Sequence, residues 1–216
     1  MEVAPDGSPL AVYLALPAEP DLSRVRSVLP IRTSVLDLGS GPGRIANPLS
    51  AAGHDVVAVD NSPEMLTHVV GAETVVGDVR SLHLNRRFGA VLALSHLVNR
   101  PDRSSRLELL RVCHEHLNDD GVVVIQRYPP DWVPTESEGG IGAVSTHLHD
   151  VVSSDDGTFS ATVTYTVNDR SWSQSFTAAI VDDDELASLA RANDLTVKST
   201  IDGDQAWVVL AAQRPT

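Results

Sequence analysis

The sequence predicts an α/β protein built on a mostly parallel sheet, and three observations predict it. Val35-Leu36-Asp37-Leu38 is a short apolar run that reads as a buried strand, and it breaks into Gly39-Ser40-Gly41-Pro42-Gly43. Glycines at every second position force a tight turn: without Cβ atoms they take positive φ and let a ligand lie against the main chain. From Ile45 to Ala52 the spacing turns helical, so the loop opens a helix whose free N–H groups face whatever the loop holds. Second, Asp55 to Val59 is another short strand, and it ends in Asp60, about twenty residues past the glycines. An acidic side chain at that distance, at the tip of a second strand, is where a ribose diol is gripped, one carboxylate accepting from both hydroxyls. Third, strand-length apolar runs go on alternating with helical patterns as far as Gln126. Together these make a nucleotide-type site at the carboxyl end of a sheet.

The glycine spacing narrows the ligand. A dinucleotide loop reads Gly-x-Gly-x-x-Gly, whereas this one reads Gly-x-Gly-x-Gly with Asp37 two residues ahead of it. A carboxylate there repels a pyrophosphate but suits a ligand that carries an ammonium and a sulfonium. With Asp37-Leu38-Gly39-Ser40-Gly41-Pro42-Gly43 stand Val57-Ala58-Val59-Asp60-Asn61-Ser62-Pro63-Glu64-Met65-Leu66 and Gly77-Asp78-Val79, in that order. Over roughly residues 30 to 130 the chain thus resembles the class I S-adenosylmethionine-dependent methyltransferases. The resemblance implies a Rossmann-like seven-stranded sheet, S-adenosylmethionine as cofactor, and methyl transfer to a small organic acceptor. It implies a cofactor-binding set of Tyr13, Asp37, Gly39, Ser40, Gly41, Gly43, Asp60, Asn61, Met65, Gly77, Asp78, Val79 and Ser95. In such relatives an N-terminal tyrosine folds over the methionine end of the cofactor, the place Tyr13 would take, and a methionine lies over adenine, as Met65 would. Adenine presents an amino donor beside a ring-nitrogen acceptor, so Asp78 would accept from the first while the Val79 N–H donates to the second.

Composition sets bounds on function. At 216 residues the chain fits one α/β domain with a substantial core. A formal net charge of −13 argues against nucleic acid as partner or methyl acceptor, because phosphate contacts need a basic surface. Cys113 is the only cysteine, which rules out an intramolecular disulfide and a cysteine metal cluster. The chain has no basic residue before Arg24, and its apolar run Leu10 to Leu16 is short, so neither a signal peptide nor a membrane span is expected and a cytoplasmic location is.

In order along the chain, residues 1–30 are an irregular arm, with one helical turn around Leu10 to Leu14, and a helix from Leu22 to Leu29 that Asp21 caps and Pro30 ends. Residues 31–130 are the cofactor-binding core. After the glycine loop, Gly53 ends the helix, Ser62 caps the next with Pro63 at its first position, and Glu73 to Val76 is strand three. Ala90 to Leu94, apolar throughout, is a strand covered on both faces. It runs into Ser95-His96-Leu97-Val98-Asn99, where reacting groups sit in such folds, so His96 is the candidate base. Ser104 begins a helix to His116 with Leu107, Leu110, Cys113 and Leu117 inward, and Asp119-Asp120-Gly121 turns the chain into strand five, Val122 to Gln126.

Residues 131–180 change pattern: 133–142 read as loop, and alternating runs follow over Ala143 to Val152, Ser160 to Val167 and Ser171 to Ala179, an antiparallel meander inserted after strand five. Residues 181–216 hold a helix capped by Asp182 or Asp183, then a hairpin around Asp202-Gly203-Asp204. The arm, the strand ends and the meander should surround the acceptor. The substrate-binding candidates are Asn99, Arg127, Tyr128, Trp132 and His147. His147 and His149 share a face if their segment is a strand, a metal-compatible spacing, but no carboxylate partner is evident and no metal is expected. The meander has a second use as a homodimer interface. Two alternatives to methyl transfer remain: the same pocket serving a non-methylating reaction, or a non-catalytic role.

Overall fold

The computed structural model describes residues 4, 5 and 7–213; the first residues of the arm and the last three of the chain lie outside the described residues. Seven strands form the main sheet: β1 (Ser34–Leu38), β2 (Asp55–Asp60), β3 (Glu73–Val76), β4 (Phe88–Ala93), β5 (Leu117–Gln126) and, after a four-stranded insertion β6 to β9, β10 (Leu195–Ile201) and β11 (Asp204–Ala212). Their order is β10-β11-β5-β4-β1-β2-β3. The first five run parallel, and β11 lies antiparallel between β5 and β10.

Strand periodicity divides the core. Leu36, Leu38, Val57, Val59, Val91 and Ala93 point to one face, beneath α5 (Arg103–Glu115) and α6 (Asp183–Arg191). Val35, Val56, Ala58, Ala90 and Leu92 point to the other, beneath α2 (Asp21–Val28) and α3 (Ala46–Ala51). Because both faces are covered, the central strands carry near-continuous apolar runs instead of alternating, with Asp37 in β1 as a buried exception.

Local chemistry moves several expected boundaries. Asp21 does not cap α2: the Glu19 carboxylate accepts from the Ser23 N–H, and Asp21 turns to Arg44 at 2.8 Å. The helix α3 begins only at Ala46, after a turn that Gly43 makes at φ +85°; a Cβ there would strike the Asn47 side chain. Asp102, not Ser104, starts α5, its carboxylate accepting from the Ser105 N–H at 2.7 Å. The inward face of α5 is Leu109, Leu110, Val112 and Cys113. Asp119-Asp120-Gly121 is a bulge inside β5 and not a turn before it: Phe88 pairs with Leu117, and Ala90 pairs next with Val122. As expected, Ser62 caps α4 (Pro63–Leu66) and Asp182 caps α6.

The insertion is a separate antiparallel sheet, β6 (Ser137–Ile141), β7 (Val144–Ser153), β8 (Thr158–Val167) and β9 (Arg170–Ala179), in that spatial order. β6 falls in the stretch expected to be loop: Gly139-Gly140 leave no alternation in its sequence, and only its hairpin register with β7 makes it a strand. One face carries four cross-strand hydroxyl pairs, Ser160–Thr177, Thr162–Ser175, Thr164–Ser173 and Thr166–Ser171. The other face packs Phe159, Ala161 and Ala178 with Tyr128, Trp132, Leu148 and Phe176. The arm helix α1 (Leu10–Ala15) buries Val12 against Val144 and Val167, so arm and meander close over one space. Among the described residues no helix is long and apolar enough to cross a membrane.

Candidate active site

The glycine loop is clipped to the end of β2. The Ser40 N–H donates to the Val59 carbonyl at 2.9 Å, and the Gly41 N–H donates to the Asp60 carboxylate at 2.8 Å. The other Asp60 oxygen accepts from the Ser62 N–H, also at 2.8 Å. Asp60 therefore sets the loop while each of its oxygens keeps a lone pair for a further donor. Gly41 lies at φ +56° with nothing within 4 Å of where a Cβ would stand, so a side chain there would fill the cleft rather than the core.

That cleft has a volume of about 210 Å³. Tyr13, Asp37, Gly39, Ser40, Gly41, Asp60, Asn61, Met65, Gly77, Asp78, Val79 and Ser95 all line it. Gly43 does not; its glycine requirement comes from the turn into α3. Asp37 is buried, and burial pushes its pKa up to about 7 against the opposing pull of Arg44. It is a carboxyl group short of a cation. Asp78 is held differently, by the Arg80 guanidinium at 2.7 Å and the Arg80 N–H at 2.9 Å, and the Arg80 contacts bring its pKa down to about 2.

A second cavity of about 620 Å³ lies beneath the meander. The two spaces meet at the end of β4, where Ser8, Tyr13, Arg44, Ser95, Leu97 and Arg100 line both. Ser95 and His96 take φ of 51° and 62°, a turn that throws Leu97 back over Gly39. The Gln126 side chain holds this turn by accepting from the Ser95 N–H at 2.8 Å. His96 lines the larger cavity and stacks on Tyr128 at 4.1 Å, which stacks on Trp132 at 4.9 Å. The His96 ring is only half-buried, but its Nδ1 is enclosed without a hydrogen-bond partner, and burial brings the ring's pKa down to about 4. At neutral pH it is an uncharged imidazole. Burial likewise pushes Tyr128 up to about 12.

Three substrate candidates are placed otherwise than expected. Arg127 is 1% exposed and lines neither cavity; it donates to the Val181 and Gln205 carbonyls and pairs with Asp183, fastening β5 to α6 and β11. His147 points to the opposite face of the meander, 3.2 Å from Glu136, so a carboxylate partner exists that the sequence did not reveal. His149 has one too, in Asp150 at 2.9 Å, yet among the described residues no group of three or more possible ligands could hold a metal. Asn99 lines the cavity but uses both ends of its amide on the fold, donating to the Ala179 carbonyl and accepting from the Tyr128 N–H. Arg44, Arg80, Arg100, Gln126 and Glu138 line these spaces and were missed. Only Arg44, one residue past the glycine loop, had a position that marked it.

An open α/β sheet with an acid ahead of a glycine turn, a second at the tip of β2 and a third after β3 defines the class I S-adenosylmethionine-dependent methyltransferase fold. Residues 35–121 match the family described as a methyltransferase domain. A curated relative, dTDP-3-amino-3,4,6-trideoxy-alpha-D-glucopyranose N,N-dimethyltransferase of Streptomyces venezuelae, is 31% identical over 125 residues, 55% of this chain and 52% of the relative. The match thus spans about half of that protein. Among solved structures, DesVI of Streptomyces venezuelae superposes with a TM-score of 0.73 at 23% identity, covering 92% of this chain and 90% of that one. CalS10 of Micromonospora echinaspora, an amino pentose methyltransferase solved with S-adenosylmethionine, gives 0.72 at 18% identity, covering 91% and 90%. At such identities the structures establish a shared fold.

Proposed function

We propose that the chain binds S-adenosylmethionine in the smaller cleft and transfers its methyl group to an amine on a small organic acceptor in the larger cavity. The observation that carries this reading is the junction: a polar cleft at the glycine loop opens, at the end of β4, into an aromatic-walled space of about 620 Å³. The residues fit the cofactor. Asp37 is a buried carboxyl group without a full counter-charge, Gly41 leaves room for a ligand against the main chain, and Asp60 has lone pairs for a diol. Once bound, S-adenosylmethionine supplies a sulfonium methyl that an acceptor lone pair takes by in-line displacement, the C–S electron pair staying on sulfur.

The chain's own part is placement and exclusion of water. Tyr13 on the arm lines both spaces, and Tyr128 and Trp132 wall the acceptor side. His96, with a pKa near 4, is too weak a base to hold a proton taken from an ammonium, so it orients the free amine by a hydrogen bond and the amine's proton leaves to solvent. An amine is favoured over a hydroxyl because two of the similar proteins, the dimethyltransferase and CalS10, are named for amino sugars. A hydroxyl would need a stronger base than this cavity offers. Residues 1–216 are read as one functional unit, cytoplasmic and without a nucleic-acid partner, with the meander available for homodimer contact.

The test is to incubate the protein with radiolabelled S-adenosylmethionine and a panel of amino sugars, free and nucleotide-linked, beside their hydroxyl counterparts. Label entering an amine, with equimolar S-adenosylhomocysteine, is the expected result. Label entering only hydroxyl acceptors would overturn the amine assignment. Calorimetric binding without transfer to any acceptor would favour the non-methylating alternative.

A further inference from the structure

Three arginines line the cofactor cleft, and two are neutralised. Arg44 meets Asp21 at 2.8 Å, and Arg80 meets Asp78 at 2.7 Å. Arg100 lines both compartments, makes no ion pair among the described residues, and has its Nε buried without a hydrogen-bond partner. The residue as a whole is part-exposed, and its outer nitrogens have no hydrogen-bond partner among the described residues, so an anion that reaches them finds them unclaimed.

Its footing is firm. Arg106 donates from Nη1 to the carbonyls of Arg100 and Pro101 at 2.6 and 3.0 Å, and Arg106 is itself paired with Glu185 at 3.3 Å. The backbone under Arg100 is therefore fixed, and its side chain is left over for a ligand.

Position decides whose anion it meets. Arg44 exerts its charge on Asp37, and so belongs to the amino-acid end of the cleft; Arg100 exerts its charge on Asp78, at the adenine end. S-adenosylmethionine has its carboxylate at the first end and no anionic group at the second. The chain as a whole carries −13, so nothing in its overall field draws anions in, and recognition of one must be local.

Building on the methyl-transfer reading, we propose that Arg100 is an anion clamp for the acceptor: the amine substrate carries a phosphate or carboxylate group that the Arg100 guanidinium takes as a two-pronged hydrogen-bonded pair at the mouth between the two spaces. The clamp holds the acceptor's charged end at the junction while its reacting end lies near Ser95 and His96.

The test uses inorganic pyrophosphate and malonate as probes, titrated by calorimetry at constant ionic strength into the parent and Arg100→Gln proteins, with and without S-adenosylhomocysteine. The parent should bind at least one probe, and Arg100→Gln should bind it about tenfold more weakly while keeping S-adenosylhomocysteine affinity within about twofold. Preference for pyrophosphate assigns a phosphate-bearing acceptor, and preference for malonate a carboxylate. Circular dichroism checks that the variant is folded, and Arg100→Lys, which keeps charge but not the planar fork, should fall between. The clamp is overturned if the parent binds neither probe, if the variant binds them equally, or if the variant loses tenfold in S-adenosylhomocysteine affinity while anion binding stays. Failure of the parent to bind S-adenosylhomocysteine would instead remove the methyl-transfer reading, and the arm without it still reports on Arg100.

Discussion

Two carboxyl groups carry the cofactor reading at the residue scale, in opposite electrostatic circumstances. Asp37 has a folded pKa of about 7 against an ordinary value of 3.8. Ionising it in the empty protein is unfavourable, so this group makes stability fall as pH rises from about 4 to about 7, and its effect is level above that. A bound ammonium favours the carboxylate, so affinity for S-adenosylhomocysteine should rise across the same range as pH approaches 8. Asp37→Asn should remove both effects. The empty variant should melt roughly 5 °C higher at pH 8, and its S-adenosylhomocysteine affinity should be weaker and flat with pH. Calorimetry at several pH values checks this, and a pH-dependent affinity persisting in the variant would assign the titration elsewhere. Asp60 instead accepts two backbone N–H groups. Asp60→Ala should cost about 2 kcal/mol of S-adenosylhomocysteine affinity, with some loss of melting temperature because the Gly41 and Ser62 amides lose their acceptor. Equal affinity in variant and parent would remove the ribose assignment.

Among the elements, the stack of His96, Tyr128 and Trp132 joins the end of β4 to the exit of β5 and to the meander's inner face. Trp132 also meets Phe159 edge-on at 5.5 Å. Trp132→Ala should widen the acceptor space without touching the glycine loop, raising acceptor KM by about tenfold and leaving S-adenosylhomocysteine affinity within about twofold. A change confined to cofactor affinity would mean the stack serves the other compartment. Because His96 is neutral down to about pH 4, kcat should show no inflection near 6.5, the ordinary imidazole value. A kcat–pH profile bending there would return a proton-carrying role to His96.

The scale of the whole molecule brings in the net charge of −13 and the closure of arm against meander. Labelled single- and double-stranded nucleic acids should show no binding at low ionic strength, where phosphate contacts are strongest. A salt-sensitive shift in that assay would reveal a basic surface that the overall charge conceals.

Most of the lining of the smaller cleft was legible in the sequence. Asp37, Gly39, Gly41, Asp60, Asp78 and Val79 stand in local motifs at the carboxyl ends of successive parallel strands, and adjacent parallel strands bring those ends together. The apolar runs of β1 and β4 were equally legible, because burial on both faces leaves its mark at every position. The larger cavity, by contrast, became visible only in the folded chain. Arg127 and His147 are the residue types a substrate site uses, yet one is spent fastening β5 to α6 and the other faces away, since a strand's register and face send each side chain to its side. No local pattern marks Arg100 as the arginine left unpaired; Asp78 takes Arg80 from two residues away, but that Asp21 has taken Arg44 across the arm is settled only by the folded chain. The β6 strand and the β5 bulge were illegible for the same reason, as each exists through hydrogen-bonded pairing with a neighbouring strand and not through any periodicity of its own.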